Sequence, residues 1–174
     1  MPVSQELAEW AKLAGYSLTV GSEGGLTDIF WNRLGEIRLF IREMTDGWVD
    51  VTCSDRLQPE YFYFAGRTIE VVEKFLFGWF GNTTRYNSGM PPLRTPTTLA
   101  ELTHGYKVAT LQIDDIGRHV LVATNGSVVA IASGGKIVST GTLVALSRYL
   151  EAPAAEIVQS FTNEYGPPLF SVRD

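Results

Sequence analysis

Apolar and polar residues alternate with period two through the early part of the chain, and later stretches switch to a period near 3.6. The switch marks where strands give way to helices. Ser4 stands at a helix-capping position; Leu7, Trp10, Ala11 and Ala14 fall on one face behind it, and Gly15 ends the helix. From Tyr16 to Phe64 the texture is strand. Tyr16–Val20 alternates, Glu23-Gly24-Gly25 turns, and Ile29-Phe30-Trp31 is a short apolar run closed by Leu34-Gly35. Ile37, Leu39 and Ile41 alternate against Glu36, Arg38 and Arg42. Asp46-Gly47 signals a hairpin into Trp48–Cys53, and Tyr61–Phe64 closes the series, predicting about five antiparallel strands.

Thr68 opens a helix in which Ile69, Val72, Phe75, Leu76, Trp79 and Phe80 share one stripe, Phe77 lies off it, and Gly81-Asn82 unwinds it. Residues 86–96 are rich in Asn, Ser, Gly and Pro, the composition of a boundary. It separates a β-rich half, 1–93, from a meander with helices, 94–174, and the two are expected to pack as one unit. In the second half Thr98 and Glu101 form a capping box. Strands follow at Lys107–Ile113, Arg118–Thr124 and, across the Asn125-Gly126 turn, Ser127–Ala132. Gly134-Gly135 then leads to a fourth strand, Lys136–Ser139. Two helices end the chain, one carrying Leu143, Leu146 and Leu150. The other begins at Pro153, turns Ile157, Phe161 and Tyr165 inward, and stops at Gly166-Pro167-Pro168. The expected class is α+β: mainly antiparallel sheets, about five strands and then three to four, flanked by four to five helices.

Composition narrows the setting. Of 174 residues, 45% are hydrophobic and 19% charged, a globular balance. The single cysteine, Cys53, forms no internal bridge and points to a reducing compartment. No secretory leader is visible and no apolar run approaches the roughly 20 residues of a membrane span, so cytoplasm is the expected location. A net charge of −5 argues against a nucleic-acid partner and suits a basic one.

Catalytic chemistry is sparse. With two histidines and one cysteine no metal set assembles, and no cofactor motif is present. Gly21-Ser22-Glu23-Gly24-Gly25 and Gly134-Gly135-Lys136 both read as turns before strands, so neither sets a helix N-terminus on a phosphate. Asp114, Asp115 and His119 are the one candidate acid–base cluster, although Asp-Asp-x-Gly between strands is also plain turn chemistry. Aromatic residues are the unusual feature. Tyr61-Phe62-Tyr63-Phe64 puts rings on both faces of one strand, and Ala65-Gly66-Arg67 beyond it reads as a small tip able to enter a narrow cleft. The expected contact set for a partner is therefore Glu60, Tyr61, Tyr63, Phe64, Ala65, Gly66, Arg67 and Thr68, with Asp55 at its rim.

Several short segments carry a resemblance: Glu9-Trp10-Ala11, Ala14-Gly15-Tyr16, Ile29-Phe30-Trp31-Asn32, Gly35-Glu36-Ile37-Arg38, Asp46-Gly47-Trp48 and Phe75-Leu76-Phe77-Gly78-Trp79-Phe80-Gly81. Together they resemble the immunity proteins for tuberculosis necrotizing toxin and related polymorphic toxins of actinobacteria. The resemblance covers residues 7–93 well and is thinner beyond residue 97. It implies a protein that binds a cognate NAD-hydrolysing toxin domain in the producing cell and occludes its NAD site. It implies neither chemistry nor cofactor, and no nucleic acid, membrane or small-molecule substrate. Two rival readings are a secretion chaperone that holds an effector without blocking it, and a small enzyme built on Asp114, Asp115 and His119.

Overall fold

The structure is a computed structural model describing residues 3–56 and 58–173. Its first half runs α1 (Gln5–Leu13), β1 (Tyr16–Gly21), a single helical turn α2 (Ser22–Gly25), β2 (Thr27–Asn32), β3 (Ile37–Glu43), β4 (Val49–Asp55), β5 (Tyr61–Gly66) and α3 (Ile69–Asn87). Its second half adds β6 (Leu93–Arg94), β7 (Tyr106–Ile113), β8 (Ile116–Ala123), β9 (Val128–Ala132), α4 (Lys136–Leu150), α5 (Ala154–Thr162) and β10 (Ser171–Val172). The α+β class and the five early strands agree with the alternation, and Leu7 N–H donates to the Ser4 cap at 3.2 Å.

The two halves share one sheet. Eight strands pair antiparallel in the order β1-β2-β3-β4-β5-β9-β8-β7, and β6 pairs separately with β10. The seam is β5 against β9, where Phe64, Ala65 and Gly66 face Ala132, Ile131 and Ala130. Alternate positions on the strands (Phe30, Leu39, Val51, Phe64, Leu121 and Ala130 among them) point to the helices and are fully buried. The intervening positions form the opposite face, and among the described residues α1, α3, α4 and α5 all lie in the layer on the first face.

The long helix α3 lies at the centre of that layer, and its glycines explain how. A methyl group added at Gly78 would stand 2.3 Å from the Tyr149 ring of α4, and one at Gly81 would stand 2.3 Å from the Phe161 ring of α5. Both rings therefore rest directly on the α3 backbone. Gly81 and Asn82 do not unwind the helix as expected. The cost of glycine in a helix, about 1 kcal/mol, is offset by ring burial. Phe77 is also buried, with its carbonyl accepting from Trp10 Nε1 at 3.0 Å, because α3 is covered by α1 as well as by the sheet. Past the glycines, the buried Arg85 guanidinium donates to the carbonyls of Pro91, Phe161, Asn163 and Glu164, pinning the end of α5.

Two further expectations change. Lys136–Ser139 is the first turn of α4, not a fourth strand, since Ser139, Leu143 and Leu146 recur at helical spacing and are fully buried. Gly134-Gly135-Lys136 consequently does lead into a helix. Tyr165 lies beyond α5 and is 68% exposed, because the helix ends at Thr162.

Candidate functional site

The predicted contact segment falls at the seam of the sheet and does not project. Phe64 stacks on Phe75 with ring centroids 4.1 Å apart, and Phe64, Ala65 and Gly66 are buried between β4 and β9. Gly66 is glycine because the first turn of α3 sits over it. An added methyl would meet Val72 Cγ2 at 2.9 Å and the Thr68 carbonyl at 3.1 Å. The protruding tip expected from Ala65-Gly66-Arg67 is thus replaced by a packed strand end. Tyr63 is half-buried and bonds Trp79 on the helix side.

Glu60, Tyr61, Arg67 and Thr68 remain exposed. The Tyr61 hydroxyl donates to Asp55 at 2.8 Å. Glu60 takes Arg42 at 2.6 Å, and Arg42 also reaches Glu23 at 3.1 Å, bridging α2, β3 and the start of β5. The Arg42 guanidinium holds the Glu60 carboxyl below the usual carboxylate range. At the other end of β5, Arg67 donates to the Asp46 carbonyl and lies 5.6 Å over the Trp48 ring.

Between these ends lies a groove of about 440 Å³ on the face turned away from the helices. Trp48, Asp50 and Phe62 form one wall, and Leu111, Asp114 and Arg118 of the β7–β8 hairpin form the other. The Arg118 guanidinium stands 4.2 Å over Phe62. Arg38 and Arg42 cap Phe40 in the same way at 5.9 and 5.0 Å. Partial burial, with Asp46 beside it, pushes the Asp50 carboxyl upward. Residue-type reasoning missed Trp48, Asp50, Phe62, Leu111 and Arg118 as a group. Neither the β5–β9 seam that brings them together nor the irregular β4–β5 register that turns Phe62 to the face opposite Phe64 was visible in the sequence.

The acid–base trio does not converge. Asp114 and Asp115 form the two-residue turn between β7 and β8, both at positive φ. Asp114 lines the groove, whereas His119 points to the helices, 2.7 Å from Ser139 Oγ. Ser139 is fully buried and its hydroxyl lies 3.0 Å from the Gly135 carbonyl, so the imidazole and hydroxyl close off a helix start. Among the described residues no cluster of His, Cys, Asp or Glu is placed to hold a metal ion, and no helix is long and apolar enough to cross a membrane.

The described residues thus give an open sheet face with guanidinium-capped aromatic rings opposite the helical layer, and an acid–base trio that does not converge. The model of the family described as Immunity protein 61 matches residues 10–169, and the chain belongs to that family. It is therefore an immunity protein and not an enzyme. It is 36% identical to the "Immunity factor for TNT" of Mycobacterium tuberculosis (strain ATCC 25618 / H37Rv) over 172 residues, covering 98% of this chain and 93% of the relative. The "Immunity factor for TNT homolog" of Mycobacterium bovis (strain BCG / Pasteur 1173P2) matches with the same identity and coverage. The solved structure of Rv3902c from M. tuberculosis superposes with a TM-score of 0.89 at 35% identity, covering 98% of this chain and 94% of that one.

Proposed function

We propose that this chain binds a secreted toxin domain related to tuberculosis necrotizing toxin and blocks its NAD site, acting in the cytoplasm of the toxin's producer. The observation that carries this reading is identity of 36% across 98% of the chain with a protein named for immunity to TNT. The separation of Asp114 and Asp115 from His119 supports a role without chemistry. Of the residues first expected at the contact, Glu60, Tyr61, Arg67 and Thr68 have the exposure to reach a partner. Phe64, Ala65 and Gly66 serve by fixing the strand that carries them, and Tyr63 by its bond to Trp79.

An inhibitor of a lethal NAD hydrolase needs nanomolar binding, on the order of −12 kcal/mol, and an interface of roughly 1,600 Å² in total. A sheet face supplies such an area where one loop does not. The test is NAD hydrolysis by a purified toxin domain of this class, titrated with the chain. Activity should fall to zero at one equivalent. A complex that forms and still hydrolyses NAD would identify a chaperone, and hydrolysis by the chain alone would refute the reading outright.

A further inference from the structure

The groove between β4/β5 and the β7–β8 hairpin has features that name its occupant. Its floor and walls are apolar and aromatic: Trp48, Phe62, Leu111 and Ile131 line it, and Leu111 is 42% exposed although it lies within a strand. Among the described residues that line it, Asp46, Asp50 and Asp114 stand against Arg118, with Arg67 at the edge over Trp48. Arg118 is already engaged, its guanidinium 4.2 Å over the Phe62 ring. The side chains of Asp50 and Asp114 accept no hydrogen bond from a described residue. Arg118 and Arg42 attract the Asp50 carboxylate, yet burial and Asp46 outweigh them, so a further cation arriving from outside lowers the cost of holding that charge. An aliphatic stem ending in a cation matches an apolar slot with carboxylates at its side.

We propose that this groove receives a basic side chain of the toxin, Lys or Arg, carried on a segment whose neighbouring residues are apolar and pack on Trp48, Phe62 and Leu111. This placement rests on the reading that the partner is a toxin, and it makes the open sheet face, not the helical layer, the docking surface. Charge complementarity selects this occupant: the chain as a whole carries −5, and the groove concentrates that sign where apolar surface is already open. The aromatic rings with guanidinium caps that flank the groove, Trp48 under Arg67 and Phe62 under Arg118, are residue types that dominate binding energy when a partner covers them.

The experiment uses the full chain and a purified NAD-hydrolysing toxin domain of this class, with inhibition and dissociation constants read for the wild type, Asp50→Asn and Leu111→Glu. Tyr86→Ser, on the helical side and 86% exposed, is the control. Wild type and the control should inhibit equally, and each groove variant should bind at least about tenfold more weakly with a melting temperature no lower than that of wild type. Amide exchange on the wild-type complex should show new protection over residues 106–118, a readout that needs no variant to fold. Full-strength inhibition by both groove variants, or protection confined to α1, α4 and α5, overturns the groove while leaving the functional reading intact. A wild-type chain that leaves the toxin active overturns the functional reading and the groove with it.

Discussion

Gly78 and Gly81 show how much a missing Cβ decides. Tyr149 and Phe161 occupy the space a methyl would take. Replacing either glycine with alanine forces a buried ring to move, and should destabilise the chain by roughly 1–3 kcal/mol, measured by chemical unfolding. A larger side chain at Gly66 acts in the same way, on folding and not on recognition, because it meets Val72 and the Thr68 carbonyl. That position was misread from sequence for a physical reason: a small residue between strand and helix fits an exposed tip and a crowded crossing equally well. Asp50 behaves oppositely. Burial raises its folded carboxyl above the unfolded value, so the folded chain holds this proton more tightly. Its favourable contribution is present in acid and is lost as pH rises through the folded value. Asp50→Asn should therefore leave the free chain as stable as wild type or more so at neutral pH, with the difference shrinking toward pH about 4, followed by thermal melting.

Among the elements, the early strands were legible to within two residues at each end, because half-buried antiparallel strands print their alternation on the chain. The start of α4 was not. Lys136–Ser139 contains Ile137 and Val138, which read as strand formers, yet these lie exposed at 88% and 64% while Ser139 points inward. The signal that finds the helix is the spacing of Ser139, Leu143 and Leu146, not the apolar pair. Arg85 was equally silent, since nothing local announces a guanidinium that will gather four carbonyls from two separate segments, Pro91 and residues 161–164. With so many charge-assisted bonds, Arg85→Met should cost about 3–5 kcal/mol by chemical unfolding and loosen the end of α5 in amide exchange. Arg85→Lys, with fewer donors and no fork, should rescue only part of that loss.

For the whole molecule, a boundary near residues 86–96 is visible in composition, but the joining of the halves is not. The seam needs Phe64–Gly66 to find Ala130–Ala132, partners far apart in sequence and unmarked by any motif. The charge balance has a consequence at this scale. If a partner of opposite sign is steered in, association should slow with added salt while dissociation changes little, a contrast read by stopped-flow mixing. The seam also sets a schedule. One wall of the groove comes from residues 48–62 and the other from residues 111–118, and neither faces the other until β9 has closed against β5. Pairings of such long sequence separation form late. A ribosome that has released only the first half has therefore made only one wall of the groove proposed to dock the toxin, and the site exists only when the later strands zip into place.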